Sequence, residues 1–255
     1  MRLPSIIVLL LLVVIVSWPV SGAAQQQGAG SLTSSLSSGA EREDKGKGGE
    51  VAGPSAAYEQ AMARGVRALN NNEFAGALAA FGEAKAAGPG KPEPLYYLGV
   101  TLDKLNRPKE AVAPLRQAIA MDPRVPRIHF ALGVVLFGLE QYSQALPEFV
   151  TVEQAEPAYE PSIWMRAMAF YYQGLIYHKL GTFTRSAPLF LKAIHLLPGV
   201  GRTAHYYAGI GFFRQGLLDE AQEQFEDTIK DNPEESEIAK SARSEERRVG
   251  KECRL

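Results

Sequence analysis

The chain has 255 residues, of which 46% are hydrophobic and 22% are charged, and its formal net charge is -1 at pH 7. This composition supports one folded unit with a core of ordinary size. It does not supply the concentrated basic surface that binds a phosphate backbone, so we expect no nucleic-acid partner.

Residues 1–24 have the layout of a secretory signal peptide. Arg2 precedes an apolar run from Ile6 to Val16 and a group of small residues that ends at Ala24. The run is shorter than the roughly 20 residues of a membrane span, so we expect cleavage after Ala23 or Ala24. The protein is therefore expected to be exported, to the periplasm or cell envelope, with the extracellular space as the alternative. A membrane contact is expected only if the segment stays uncleaved.

Residues 25–55 are rich in Gly, Ser and Gln. Large apolar residues are scarce there, so the segment cannot bury enough surface to offset the entropy lost on ordering. It is predicted to be a disordered tether whose Gly and Ser content gives a coil-like reach.

From residue 56 onwards, apolar residues recur at helical spacing and the sequence repeats itself. Gly65, Gly99 and Gly133 lie 34 residues apart, and two further copies are marked by Gly174 and Gly209. Each glycine is followed at the same offsets by a small residue, a larger apolar residue and a proline. These are Ala77, Phe81 and Pro89; Ala111, Leu115 and Pro123; Ala145, Phe149 and Pro157; Ser186, Phe190 and Pro198; and Ala221, Phe225 and Pro233.

The repeated positions predict pairs of packed helices, named A and B in chain order. A small residue on each helix lets the two backbones approach closely, while larger apolar residues fill the remaining space. The proline lacks a backbone donor, so it ends helix B and turns the chain into the next pair. Because one pair cannot cover its own apolar face, the pairs are expected to stack.

This pattern resembles the tetratricopeptide repeat family from about Tyr58 to Pro233. The second copy shows the family positions most fully, with Leu95, Leu98, Gly99, Leu102, Ala111, Leu115, Ala118 and Pro123. The resemblance implies an all-α, right-handed superhelical solenoid of about five helical hairpins over residues 56–233. The repeats are expected at about residues 58–91, 92–125, 126–159, 167–200 and 202–235.

The interval between repeating glycines grows by seven residues before Gly174. Seven residues are about two helical turns, so the insertion can lengthen a helix without rotating its apolar face. Pro161 is expected to start the longer helix, because proline is favoured in the first helical turn.

Two segments follow the last repeat. Residues 234–242 are expected to begin a capping helix, since the end of a stacked array needs a polar cover. Residues 243–254 resemble the in-frame translation of a common sequencing adapter, so residues 243–255 are expected to be an adapter-derived artefact. The natural chain is then expected to continue differently after Ala242, with the rest of the cap or with further repeats.

In this family the A helices line a concave groove, and contact positions lie two, five, nine, twelve and thirteen residues into each repeat. Carried over by resemblance, these positions give an aromatic and aliphatic groove that is edged by a few cations. The predicted contact residues are Tyr96, Val100, Phe130, Val134, Phe137, Tyr171, Leu175, His178, Lys179, Tyr206, Ile210, Phe213 and Arg214. An extended or helical peptide with apolar anchors is the expected guest. The alternative that these aromatic residues serve packing alone stays open.

The expected function is that of an exported scaffold or adaptor that binds a protein or peptide partner. Nucleophile, phosphate-loop and metal-ligand motifs are absent from the sequence, so no enzymatic activity, metal or cofactor is expected. His129 and His205 occupy equivalent repeat positions and are expected to pack at the core boundary. Two alternatives remain: a docking module of a truncated larger cell-envelope enzyme or transport or assembly complex, and self-association through the terminal repeats.

Overall fold

The structure is a computed structural model that describes residues 56–155, 157–159, 161–232 and 236–253. The predicted signal peptide and tether lie outside these ranges. Within them every regular element is helical, which confirms the predicted all-α solenoid of hairpins. The α-helices are α1 (Ala56–Asn70), α2 (Phe74–Ala87), α3 (Pro92–Lys104), α4 (Pro108–Met121), α5 (Pro126–Gly138), α6 (Tyr142–Glu153), α7 (Ile163–Lys179), α8 (Phe183–Leu196), α9 (Gly201–Phe213), α10 (Leu218–Asp231) and α11 (Glu237–Glu252).

Consecutive helices pack as five hairpins. Helices α1, α3, α5, α7 and α9 are the A helices, and α2, α4, α6, α8 and α10 are the B helices. Each A helix packs on the B helix that follows it and, from the second hairpin onwards, on the B helix before it. The largest core cluster therefore runs without interruption from α3 to α9. Across the described ranges, none of the helices combines the length and the hydrophobicity needed to cross a bilayer.

Prolines mark the starts and the ends of several helices. Helices α3, α4 and α5 each begin at a proline, whose fixed φ and missing donor suit the first helical position. Helices α2, α4, α8 and α10 each end two residues before the repeated proline, as predicted. Helix α6 instead ends at Glu153, four residues before Pro157, where the insertion begins.

A glycine on each A helix faces a large side chain of its own B helix. A Cβ atom built on Gly133 would lie 2.9 Å from the Cε1 and Cζ atoms of Phe149. The same relation joins Gly65 to Phe81, Gly99 to Leu115, Gly174 to Phe190 and Gly209 to Phe225. All five partner side chains are fully buried. The predicted small-to-large contact is therefore what brings helices A and B together.

Aromatic stacking joins neighbouring hairpins at three of their four junctions. The B-helix ring stacks on a tyrosine of the next A helix, with centroid separations of 4.9 Å for Phe81 and Tyr97, 5.0 Å for Phe149 and Tyr172, and 5.6 Å for Phe190 and Tyr207. Between the second and third hairpins the corresponding residues are Leu115 and Ala131, so no ring pair forms there.

The seven-residue insertion is divided between a loop and a helix. Helix α7 has 17 residues where α5 has 13, so the lengthening amounts to about one turn. The prediction that Pro161 starts this helix is wrong. The helix begins at Ile163, because the Ser162 side chain caps it by accepting a hydrogen bond from the Met165 N–H at 3.2 Å. In the loop, Pro157–Tyr159 form a 3-10 turn.

Helix α11 packs on α10 and α9, in the place that a sixth A helix would take. Ser236 caps its start by accepting a hydrogen bond from the Ala239 N–H at 3.2 Å. Its buried residues include Ala242 and Val249, which cover the end of the fifth hairpin. The helix thus runs through the segment that resembles a translated adapter. The origin of that segment is a question of nucleotide sequence and stays a prediction.

Candidate protein-binding groove

The A helices lie closer to one another than the B helices do. Helices α3, α5 and α7 each contact the next A helix directly, and α9 contacts α11, which takes the place of a sixth A helix. Successive B helices do not make contacts of this extent with one another. The A helices therefore line the inner side of the curved array, which is the side that forms the concave surface in solenoids. We call this surface the A-helix face.

The structure places eleven of the thirteen predicted contact residues at least partly on the surface. Lys179 and Arg214 are exposed. The half-buried members are Tyr96, Val100, Phe130, Val134, Phe137, His178, Tyr206, Ile210 and Phe213. This face is therefore largely apolar and aromatic on α3, α5 and α9, with cations at the ends of α7 and α9.

Tyr171 and Leu175 do not line the face, because each is only 3% exposed. The Tyr171 ring packs edge-on against Phe190, with 5.6 Å between centroids. Its hydroxyl lies 3.0 Å from Thr203 Oγ1 on α9. The prediction that these two residues line the face is wrong, because both side chains belong to the core.

The extra turn of α7 adds two exposed apolar residues that the repeat positions do not include. Ile163 is 66% exposed and Trp164 is 45% exposed. The Trp164 ring packs edge-on against Phe130, with 5.6 Å between centroids, so it continues the apolar surface of α5. Both residues precede the first position of the fourth repeat, which is why counting positions within repeats missed them. The sequence signal that could have identified them is a capping serine, Ser162, followed directly by two large apolar residues.

The fifth hairpin is partly covered by α11. Tyr206, Ile210 and Phe213 pack against the cluster that contains Val249. The Arg248 guanidinium lies 5.0 Å from the centroid of the Phe213 ring. The most open apolar part of the A-helix face is therefore on α3, α5 and the start of α7.

Cations at this face lie beside helix ends. Lys179 is the last residue of α7 and Arg214 is the C-cap of α9, where the partial negative charge of the carbonyl end favours a cation. Burial lowers the pKa of His178 to about 4, and the charges of Lys179 and Arg214 act in the same direction. His178 is therefore neutral at pH 7, with its ring edge-on to Phe183 and Tyr207.

The two equivalent histidines have structural partners, as predicted. His129 is buried, with Nδ1 2.6 Å from Glu148 Oε2 and Nε2 2.8 Å from the Pro123 carbonyl oxygen. His205 Nδ1 lies 2.8 Å from Gln224 Oε1. In the part of the chain that the structure covers, no group of His, Cys, Asp and Glu side chains could hold a metal ion.

The sequence and the fold agree with one family. Residues 62–124 and 96–161 match a family model described as tetratricopeptide repeat, and the hairpins have that repeat's small-to-large contacts. Residues 62–161 belong to the tetratricopeptide repeat family. By sequence, no curated protein matches it.

Solved structures with a similar fold include three proteins. MamA (residues 41 to the end) from Desulfovibrio magneticus RS-1 is 24% identical, with 72% of this chain and 100% of that chain covered and a TM-score of 0.62. YrrB, described as a TPR protein with an unusual peptide-binding site, is 20% identical, with 75% and 100% covered and a TM-score of 0.60. Pseudomonas aeruginosa pilF is 17% identical, with 76% and 86% covered and a TM-score of 0.61. At these identities the likeness is one of fold.

Proposed function

We propose that this tetratricopeptide repeat protein is an exported scaffold or adaptor that holds peptide segments of partner proteins on its A-helix face. The observation that carries the proposal is the row of half-exposed apolar and aromatic side chains on α3 and α5, extended by exposed Ile163 and Trp164. Apolar surface of this kind on a concave side is typical of interaction sites. Aromatic rings also give a large contact area at a small entropic cost.

A peptide fits this face better than a small molecule does. The apolar side chains follow one another along successive helices, so a ligand must be long enough to reach several of them. YrrB, which has the same fold, is described as having a peptide-binding site, and this precedent supports a peptide as the guest here. The proposed anchors are Val100, Val134, Phe137 and Trp164.

Export is supported by the sequence of residues 1–24, with its short apolar run and small residues. The test is expression of the full chain in a bacterial host, followed by fractionation and N-terminal sequencing. The exported protein is expected to begin after Ala23 or Ala24, whereas an intact cytosolic chain would contradict the proposal.

The groove is tested with peptides selected from a random library displayed on phage and panned on the full chain. The binding variant is Val100→Thr/Val134→Thr, which replaces one methyl with a hydroxyl at each of two half-buried positions on A helices. Its matched control is Val112→Thr/Val150→Thr, which makes the same changes at half-buried positions on the B helices of the same hairpins.

Each lost apolar contact costs about 0.8 kcal/mol or more, so the A-helix double variant is expected to bind the selected peptides about tenfold more weakly. The B-helix control is expected to stay within about twofold of the wild type. Unfolding of both variants by urea shows whether they are equally folded. Equal affinity of the two double variants at equal stability would contradict the proposed groove.

A further inference from the structure

His129 is a buried ionisable residue at the junction between the second and third hairpins. It lies near the start of α5 and is 7% exposed. Its Nδ1 atom lies 2.6 Å from Glu148 Oε2 on α6, and its Nε2 atom lies 2.8 Å from the Pro123 carbonyl oxygen. Pro123 belongs to the connection between α4 and α5, so the ring ties this connection to the third hairpin.

The two contacts together need a proton on each nitrogen of the ring. A carbonyl oxygen can only accept a hydrogen bond, and the same is true of an ionised carboxylate. A neutral imidazole carries one N–H and can donate to one of the two partners, whereas the protonated ring donates to both. Burial lowers the pKa of His129, but its contacts with Glu148 and the Pro123 carbonyl outweigh burial and raise it. The geometry of His129 is therefore that of an imidazolium ion.

The equivalent pair in the fifth hairpin has a different chemistry. His205 and Gln224 are 19 residues apart, as are His129 and Glu148, and His205 Nδ1 lies 2.8 Å from Gln224 Oε1. His205 Nε2 lies 3.9 Å from Asp231 Oδ2, which is too far for a hydrogen bond. A carboxamide can present either its oxygen or its NH2 group, so this pair can keep its hydrogen bond in both protonation states of the ring. The carboxylate in the third hairpin has no such alternative.

The junction at His129 also differs from the others in its packing. Leu115 and Ala131 occupy the positions at which stacked rings join the other hairpins. Outside the apolar core, an exposed ion pair and an exposed hydrogen bond cross this junction, and such contacts contribute little to stability. They join Arg127 to Glu93 at 3.8 Å and Arg116 to Gln144 at 2.6 Å. The buried contacts of His129 are therefore important for holding this junction.

Glu148 is the charged residue that decides the protonation of His129. Of the charged side chains on the described elements that pack against α5, it is the one whose charge acts on the ring. In the connection between α4 and α5, Asp122 and Arg124 pair with each other at 3.1 Å. The charged residues of α3 and α4 at this junction form the two contacts given above.

We propose that His129 is a proton-dependent clamp that holds the second and third hairpins at a fixed angle. The protonated ring binds Glu148 and the Pro123 carbonyl at the same time. When the ring loses its proton at higher pH, one of these acceptors loses its donor, and an unpaired polar group at a buried site is unfavourable. The connection between α4 and α5 is then released from the third hairpin, and the junction becomes a hinge.

The clamp lies at a place where it would affect the A-helix face. Val100 is on α3 and Val134 is on α5, so a peptide that contacts both residues crosses this junction. A hinge there would change the spacing of the two anchors and make peptide binding depend on pH. This consequence rests on the proposed function, whereas the clamp itself does not.

The protonation state is tested by the imidazole ¹⁵N chemical shifts of the full-length chain between pH 5.5 and pH 9.5. Comparison with His129→Gln assigns the His129 signals. Both nitrogens are expected to carry a proton at pH 7, with a titration midpoint above the ordinary value of about 6.5. Glu148→Gln reproduces the pair found in the fifth hairpin and is expected to lower that midpoint. A ring that is neutral at pH 7 would overturn the proposal.

The hinge is tested with nitroxide labels on exposed cysteines at the same repeat position of successive B helices, in a Cys253→Ser background. Gln117→Cys/Thr151→Cys spans the junction at His129, and Thr151→Cys/Lys192→Cys spans the next junction, which has a stacked ring pair. Electron spin resonance gives the distribution of distances between the labels. The first distribution is expected to broaden as pH rises through the His129 midpoint, and the second is expected to stay unchanged.

Variants of the clamp give the decisive comparison. The distribution across the first junction is expected to be broad at every pH in His129→Gln, and in Glu148→Gln its broadening is expected to move to lower pH together with the ring's midpoint. A distribution that stays narrow while His129 loses its proton, or equal broadening at both junctions, would overturn the clamp. Neither measurement uses a peptide, so the clamp is tested separately from the proposed function.

Discussion

Gly133→Ala tests the contact that holds helices A and B together. The new Cβ would lie 2.9 Å from the Phe149 ring, closer than real Cβ contacts allow. Phe149 cannot move away freely, because its ring is fully buried and stacks on Tyr172 at 5.0 Å between centroids. Such overpacking costs about 1–3 kcal/mol. The better helix propensity of alanine offsets about 0.5–1 kcal/mol of this cost, so the net loss is between roughly 0 and 2.5 kcal/mol.

Gly82→Ala is the matched control. Gly82 lies inside α2, is exposed, and has no atom from outside its own helix within 4 Å of a built Cβ. The Gly82→Ala variant is therefore expected to gain about 0.5–1 kcal/mol of stability from helix propensity, without a steric cost. The helix-propensity gain is common to both variants, so the difference between their free energies of unfolding isolates the contact and is expected to be about 1–3 kcal/mol. Urea unfolding followed by far-UV circular dichroism measures it. Equal stabilisation of both variants would refute the proposed packing.

Two further predictions concern stability. Phe149→Ala is expected to lower the free energy of unfolding by about 3–5 kcal/mol, because the ring is fully buried. The control Leu180→Ala is expected to lower it by less than about 1 kcal/mol, because that side chain is 57% exposed. Similar urea midpoints for the two variants would contradict this prediction. Burial lowers the pKa of His129, but its contacts with Glu148 and the Pro123 carbonyl outweigh burial, so the folded pKa is raised. The stabilisation that the His129 proton supplies is therefore complete below the unfolded pKa of about 6.5 and is lost as pH rises through the folded value. The advantage of the wild type over His129→Gln in urea unfolding is expected to be larger at about pH 5.5 than at about pH 8.5, and an equal advantage would contradict it.

The hairpins could be predicted from the sequence because their packing is local. Gly133 and Phe149 belong to one hairpin, and the same spacing recurs in every copy, so the pattern determines both the fold and the register. Helix ends were predictable at most prolines for the same reason. The structure of the insertion was harder to predict from the sequence, because the Ser162 cap, and not Pro161, sets the start of α7.

The binding face was less predictable because it depends on several hairpins at once. Tyr171 is buried by Phe190 and Thr203, which lie on the two helices that follow. Trp164 lies outside the repeat positions and reaches the face through its contact with Phe130. The contacts of Tyr171 with Thr203 and of Trp164 with Phe130 are not visible in a single repeat, because each depends on how neighbouring hairpins are placed.

Site-specific photo-cross-linking would locate a bound peptide on one side of the array or the other. A photoreactive phenylalanine analogue is placed either at Val134 on α5 or at Val150 on α6, two half-buried positions of the same hairpin. Each form is irradiated with a peptide selected on the wild type. Cross-linking from position 134 and not from position 150 is the expected result if peptides bind the A-helix face. Cross-linking from position 150, or equally from both, would show that the peptide binds elsewhere.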